Sequence, residues 1–557
     1  MADGNANEPT SGDGATGAGG GPVGGAGGGP VGGGAGYPRL AGVRAELGER
    51  YRAEGLWDER RLADGIEAAA ASRPDAPAVV DNEARLTNAQ LAAAVSAGVS
   101  TLVGRGVRPG DATILIAGNT RHGVIAYQAL LRAGATVVGL DRRSGVADVR
   151  FAVEALPGEP WLIVPDGEAE RLAEALAPAE GRVLSLERFA AAPDPSAPPV
   201  AWVEPDRDRA AIIMFSSGTT GRPKGVVHSL NTLTAGLFNL ERSVGDDPVA
   251  TFLVSPLTSI TGLMQLQLAA DRHGTLLLED RFDAVQTLAR INAESPTLLG
   301  GAPVIPERLL TAAAAAGPDV PVRLRRLALG GSMLPRPLLE LATDRYGIEI
   351  VRMYGSSEAP TFSGSLYDDP RERRLADDGV PVRGGEVRVG SSAHPQEGLL
   401  RGPNLFLGYL DPADDAGVFE DGWYRSGDQV DFSGGRLTVV GRLREIVNRN
   451  GLKISLSELD EALVGLPGSV EHAAFGLPDP VTGERLAVAV AAGDGASVTL
   501  QDAIDHLLAG GIAKRKLPEQ LVRWKGPLPR TASGKIIRSR LVMDAPAMDS
   551  DLADRLR

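Results

Sequence analysis

The 557-residue chain has no cysteine. That absence excludes disulfide staples, thiolate zinc sites, iron–sulfur clusters and a cysteine nucleophile, so any chemistry must come from oxygen, nitrogen and bound ligands. Lysine is almost as scarce. Only Lys224, Lys453, Lys514, Lys516, Lys525 and Lys535 occur, and the other 51 of the 57 basic residues are arginine. Where a solvated charge suffices the sequence uses Arg, so a Lys retained inside a glycine-rich loop marks a need for a compact, flexible point charge. Long apolar runs are missing as well. The most apolar stretch, Ala112 to Leu140, is broken by Arg121, His122 and Arg132, which argues against a membrane span. The opening Met-Ala-Asp-Gly has neither the basic start nor the apolar run of a secretory signal, and a cytoplasmic location is expected. A net charge of -14 repels phosphate backbones and points away from nucleic-acid partners. None of His122, His228, His273, His394, His472 and His506 forms a pair with metal-ligand spacing, so none is assigned a ligand role.

What is present fits a soluble globular chain with large cores: 43% hydrophobic and 23% charged residues. Residues 1–36 hold 16 of the 71 glycines and read as a disordered tail. A Gly-x-Gly-x-x-Gly match there, at Gly19, Gly21 and Gly24, has no strand before it and no helix after it, so it is no dinucleotide fingerprint. Residues 37–441 alternate alanine-rich helical stretches with short aliphatic runs such as Ala78–Val80, Thr113–Ile116, Thr136–Val138, Ala211–Phe215, Leu327–Leu329, Ile348–Met353 and Leu437–Val440. This rhythm predicts an α/β layer with a largely parallel sheet, interrupted by a Pro/Ala-rich connector at Ala192–Pro199. Residues 442–543 carry five of the six lysines and read as one small α+β unit. Residues 544–557, acidic and short of core side chains, are expected to fray as a flexible tail.

Four clusters carry chemistry. The run Ala211–Phe215 enters Ser216-Ser217-Gly218-Thr219-Thr220-Gly221-Arg222-Pro223-Lys224-Gly225. Small residues let backbone N–H groups approach a polyanion, hydroxyls add donors and Lys224 adds charge, which is the physics of a phosphate cradle. The spacing is not that of a Walker loop. Tyr354-Gly355-Ser356-Ser357-Glu358 follows the next candidate strand end, where a carboxylate can hold Mg²⁺ against phosphate oxygens. Tyr424-Arg425-Ser426-Gly427-Asp428 leads through a predicted hairpin to Gly441-Arg442, and Asp428 can accept from a ribose diol. Pro529-Arg530-Thr531-Ala532-Ser533-Gly534-Lys535 presents a lysine on a turn. Taken singly, Glu358 and the last two clusters also read as solvated turns.

Together, in this order across residues 215–535, these motifs resemble the adenylate-forming superfamily of acyl-CoA synthetases, adenylation domains and luciferases. Ser255–Gly262 and Tyr354–Thr361 are most similar to cyclohexanecarboxylate-type and medium-chain acyl-CoA ligases. The resemblance implies an α/β fold: a large N-terminal AMP-binding domain of layered sheets and helices over 37–441, and a small mobile α+β C-terminal catalytic domain over 442–543. It also implies a site. Ser216, Ser217, Gly218, Thr219, Thr220, Gly221 and Lys224 would wrap the phosphates of ATP, with Thr219 and Glu358 as Mg²⁺ ligands beside Ser356 and Ser357. Gly330, Gly331, Ser332, Tyr354 and Gly355 would frame the adenine, and Asp428 and Arg442 would hold the ribose. Lys535 would bridge the substrate carboxylate and the α-phosphate. Ser259, Ile260, Thr261, Gly262, Gly301 and Ala302 would line the acid pocket. Arg444 would be the hinge, and Gly451 and Lys453 would lie on the face met by a thiol acceptor.

The implied activity is ATP-dependent conversion of a carboxylic acid to acyl-AMP with release of pyrophosphate, then transfer to CoA. No carrier domain follows Lys535, so an external acceptor is expected: CoA, a carrier protein or an amine. Relatives with this pattern commonly carry His, or in aryl-acid enzymes an aromatic residue, where Ser259 stands. That departure leaves the acid open and keeps an unusual nucleophile in view, including nitrite activated toward an aromatic amine by an ATP-dependent diazotase. A catalytically silent nucleotide-binding relative is the remaining alternative, and intact Lys224, Glu358, Asp428 and Lys535 stand against it. The run Lys514-Arg515-Lys516 reads as a solvated face that could also meet the 3′-phosphate of CoA.

Overall fold

The structure, a computed structural model, describes residues 43–58, 62, 64–172, 181–189, 206–216, 223–246, 249–330, 334, 336–443, 445–449, 452–493, 495–531 and 534–553. The glycine-rich segment 1–36 and the connector Ala192–Pro199 lie outside the described residues. The aliphatic runs become strands: Pro77–Val80, Ala112–Ala117, Thr136–Asp141, Ile212–Ser216, Arg326–Gly330, Glu349–Tyr354 and Arg436–Arg442.

Most of them enter two mainly parallel sheets. One runs in the order Val380–Pro381, Ser363–Gly364, Glu349–Tyr354, Arg326–Gly330, Leu298–Gly301, Ala250–Leu253, Thr275–Leu278, Pro77–Val80, Arg85–Thr87, parallel throughout except at its two edges. The other runs Gly408–Tyr409, Lys224–His228, Ile212–Ser216, Thr136–Asp141, Ala112–Ala117, Trp161–Val164, Val183–Ser185. Strands covered on both faces need unbroken apolar runs, and Ala112–Ala117 is buried at every position. The helix Arg121–Arg132 is likewise buried at nine consecutive positions, Gly123 to Leu131, as a helix packed on all sides must be. It shares one hydrophobic cluster with strands of both sheets and with the helices Asn88–Arg105, Leu230–Val244 and Ile260–Asp271. Among the described residues no helix is long and apolar enough to cross a membrane.

Two expectations are corrected. The α/β rhythm does not continue to residue 441: Glu386–Val389, Glu397–Arg401, Phe419–Glu420, Trp423–Ser433 and Arg436–Arg442 form an antiparallel sheet. The connections from Val389 to Glu397, from Glu420 to Trp423 and from Ser433 to Arg436 are too short for the crossover helix that parallel pairing requires. Nor does the chain fray from Asp544, because Ser550–Leu552 pairs antiparallel with Gln520–Arg523. The acidic side chains that suggested disorder are partners instead, with Arg523 reaching Asp549 at 3.0 Å and Asp551 at 2.6 Å. The C-terminal unit has its own mixed sheet, flanked by Leu456–Ala462, Leu500–Ala509 and Arg538–Asp544, and its own apolar clusters.

Candidate active site

The strands Ile212–Ser216 and Lys224–His228 pair antiparallel with Ser216 opposite Lys224, so the two ends of the expected phosphate cradle are held side by side. Ser217, Gly218, Thr219, Thr220 and Gly221 lie outside the described residues. Lys224 Nζ stands 3.5 Å from the Asp414 carboxylate, 3.5 Å from the Asp414 carbonyl and 4.7 Å from the centroid of the Tyr409 ring. The Tyr409 hydroxyl in turn donates to Glu358 Oε1 at 2.9 Å. Sequence reasoning singled out neither Tyr409 nor Asp414.

Glu358 is placed by the turn after Glu349–Tyr354. A Cβ on Gly355 would lie 2.7 Å from both Ala359 O and Thr361 N, so only glycine fits there. Ser356 Oγ accepts from the Glu358 and Ala359 N–H groups at 3.2 Å each, which tightens the turn. The Ser357 carbonyl accepts from His228 Nε2 at 2.7 Å. Burial pulls His228 down to about 4, so the ring is neutral at physiological pH. A carbonyl can only accept, so Nε2 carries the proton and Nδ1 faces Thr232 Oγ1 at 3.0 Å. Assigned no ligand role, His228 proves to be a strut between the Lys224 strand and the Glu358 turn.

Asp428 is buried, and two groups converge on it: Tyr354 donates its hydroxyl to Oδ2 at 2.8 Å, and Arg442 Nε lies 3.2 Å from Oδ1. Burial raises the Asp428 carboxyl above its usual range, with Arg442 and Tyr354 opposing the shift. Tyr354, expected at the adenine, therefore spends its hydroxyl on the carboxylate expected at the ribose. Gly330 ends its strand opposite Met353, one residue before Tyr354, while Gly331 and Ser332 lie outside the described residues.

Lys535 arrives from the small unit. Its turn is held by Thr531 N–H donating to Lys535 O at 2.8 Å, Lys535 N–H to Thr531 Oγ1 at 3.1 Å, and Arg530 Nη1 to Gly534 O at 2.8 Å. Gly534 has φ +87°, and a Cβ there would meet Val304 Cγ1 of the large unit at 2.9 Å. Just beyond, Arg538 donates to Glu445 Oε1 at 2.9 Å and Ala474 O at 3.0 Å and pairs with Asp460. Loss of water and the nearby Arg442 charge lower the Lys535 ammonium to about 8, with Asp428, Glu358 and Glu445 opposing them. These three carboxylates favour the charged form of Lys535 against its burial.

At the expected acid pocket, Ser259 caps the helix Ile260–Asp271: its hydroxyl donates to Pro256 O at 2.7 Å and accepts from Gly262 N–H at 3.1 Å. Gln265 links this helix start to the neighbouring strand. It accepts from Gly300 N–H at 3.0 Å and donates to Thr261 O at 3.1 Å, which ties the helix that opens at Ile260, Thr261 and Gly262 to the strand that ends at Gly301. Arg444 and Gly451 lie outside the described residues, and Lys453 is placed by its backbone alone, opposite Asn448.

Comparison with known proteins yields two family matches: AMP-binding enzyme over residues 66–410 and AMP-binding enzyme C-terminal domain over residues 458–535. A feruloyl-CoA synthase of an Amycolatopsis species is 31% identical over 88% of this chain and 99% of its own. A medium-chain fatty-acid–CoA ligase of Escherichia coli is 28% identical over 89% and 92%. Among solved structures, an amide bond synthetase from Marinactinospora thermotolerans superposes with a TM-score of 0.75 at 26% identity, covering 88% of this chain and 99% of that one.

Proposed function

The chain belongs to the AMP-binding enzymes, and from that premise we propose that it converts a carboxylic acid to an acyl-adenylate with ATP and passes the acyl group to CoA. What supports this reading is that Tyr409 joins Lys224 to Glu358, that Tyr354 and Arg442 surround Asp428, and that the charges of Asp428 and Glu358 act on Lys535 of the small unit. Asp428, fixed by Tyr354 and Arg442, offers its oxygens to the ribose hydroxyls. Lys224 leaves Asp414 for the phosphates, and Lys535 places its ammonium between the acid's carboxylate and the α-phosphate. Bringing two anions together is the main barrier, so cations prearranged around them lower it directly. A carboxylate oxygen bonds to the α-phosphorus as the bond to the β-phosphate oxygen breaks, and pyrophosphate leaves. In the second half-reaction the CoA sulfur bonds to the acyl carbon and AMP departs.

The donor set suits Mg²⁺. Among the described residues no three His, Asp or Glu side chains could hold a metal ion by themselves, and a cation that takes few protein ligands and leans on the oxygens of the nucleotide is what Mg²⁺ prefers to be. Glu358, with Thr219, would hold it, and it would supply positive charge to the phosphates.

The test is a panel of carboxylic acids read as ATP–pyrophosphate exchange and as AMP release, with and without CoA. Exchange with some acid, and AMP release accelerated by CoA, is the expected result; absence of exchange across aliphatic and aryl acids would remove the reading. One observation favours a second acceptor: the likeness to an amide bond synthetase points to an amine, in which case AMP release responds to amines and not to CoA.

A further inference from the structure

We propose that Tyr409 is a positioning residue that sets Glu358 and Lys224 for the nucleotide at the same time. Two faces of one side chain do this. The hydroxyl donates to Glu358 Oε1 at 2.9 Å, and the ring carries Lys224 Nζ at 4.7 Å from its centroid. Glu358 lies in the turn that follows the strand Glu349–Tyr354 of one sheet, Lys224 opens a strand of the other, and Tyr409 belongs to the strand Gly408–Tyr409, paired with the Lys224 strand with Tyr409 opposite Val226. The side chain therefore reaches from its own sheet to the turn at the end of the other.

Its ring is fixed from behind. Phe406 packs edge-on at 5.1 Å and is itself stacked with Phe419 at 5.6 Å, and Arg44 from the N-terminal helix lies 4.6 Å over the Phe419 ring and bonds to the Phe406 carbonyl. A phenol keeps its proton across the physiological range, so the hydroxyl donates and the Glu358 oxygen accepts. One carboxylate oxygen is thereby taken, and among the described residues the other, Oε2, has no hydrogen-bond partner. A carboxylate with one oxygen occupied offers the other singly, which suits an ion that demands regular octahedral geometry and accepts few protein ligands.

The proposal rests on the assignment of Glu358 and Lys224 to Mg²⁺–ATP, and the experiment separates the two. ATP binding is measured by calorimetry, without acid substrate, at a series of Mg²⁺ concentrations. Tyr409→Phe keeps the ring and removes the donor. It is expected to raise the Mg²⁺ concentration needed for half-maximal ATP affinity about tenfold, with ATP affinity at saturating Mg²⁺ unchanged within about twofold. Tyr409→Leu also removes the cation seat and should weaken ATP binding about threefold further at saturating Mg²⁺. In a Glu358→Gln background the Phe substitution should add less than about twofold, because its partner is gone. A merely structural role would lower the melting temperature and leave the Mg²⁺ dependence in place; that result, or full additivity with Glu358→Gln, overturns the proposal. If Glu358→Gln shifts the dependence and Tyr409→Phe does not, only the role of Tyr409 falls. If Glu358→Gln itself shifts nothing, the assignment of the site falls first. Should the Leu variant fail to fold, the Phe variant and the cycle with Glu358→Gln decide alone.

Discussion

Glu358 sits in a turn propped by His228 beneath Ser357 and steadied by Tyr409 at its carboxylate, both supplied by the large unit. Lys535 sits on a turn held by Thr531 and Arg530, its own neighbours, and anchored further on by Arg538 to Glu445 and Asp460. The anchors of the first are long-range within a layered core; the anchors of the second all lie in the small unit, and the large unit meets that turn at Val304. In the proposed reaction, Glu358 and Asp428 are therefore in place before the nucleotide arrives, while Lys535, the group that serves adenylyl transfer to the carboxylate, is delivered. An enzyme with two successive chemistries at one site gains from this division, because the delivered part can be withdrawn without disturbing the bound adenylate.

Several changes would break or sharpen that contrast. The largest is Lys535→Ala, which should lower ATP–pyrophosphate exchange by about 10²–10³-fold while ATP affinity changes by less than about threefold. Transfer from a chemically made acyl-adenylate to CoA should survive; equal loss of both half-reactions would show that Lys535 is no more separable than Glu358. Next, Asp428→Asn removes the charge that Arg442 and Tyr354 surround, and should raise the KM for ATP about tenfold, with the KM for the acid unchanged in steady-state assays. The pH profile follows. Because the Lys535 ammonium is lowered to about 8 and the charged form is the useful one, kcat/KM for exchange should fall about tenfold per unit above that pH. At saturating ATP the same limb should move upward, since phosphates favour the ammonium. Stability responds in the opposite sense: with a folded value below lysine's ordinary 10.5, the group opposes folding at neutral pH, and that cost is relieved as pH rises from about 8 toward 10.5. The smallest effect belongs to Ser259→Ala. Its hydroxyl is committed to Pro256 and Gly262, so about 1 kcal/mol of stability is lost in thermal melts and the KM for the acid moves by less than about twofold.

The strands and the loops at their ends were legible because both leave local signals: unbroken aliphatic runs for doubly covered strands, and Gly/Ser/Thr clusters where the backbone must turn sharply. Asp428 and Arg442 were also readable as neighbours, since a hairpin brings them into register. Tyr409 and His228 were not. Their partners lie 51 and 129 residues away, and nothing within a window around either residue encodes a contact of that range. The role of His228 as a strut depends on which turn the neighbouring sheet presents to it. The antiparallel sheet from Glu386 to Arg442 was missed for a different reason. Several of its strands are half-exposed rather than cleanly alternating, as in Glu386–Val389, so the period of two is blurred. The motif around Ser259 points to a residue that lines the acid pocket, whereas its spacing to Gly262 is equally that of a helix cap.

The strand Ser550–Leu552 has a practical corollary. It closes the outer rim of the small unit's sheet, and without it the main-chain groups of Gln520–Arg523 would stand open as a template for another molecule. Trimming the chain ahead of Asp549 should accordingly appear as clumping during purification long before it appears as lost turnover, and an affinity handle belongs past Ala553, clear of that seam.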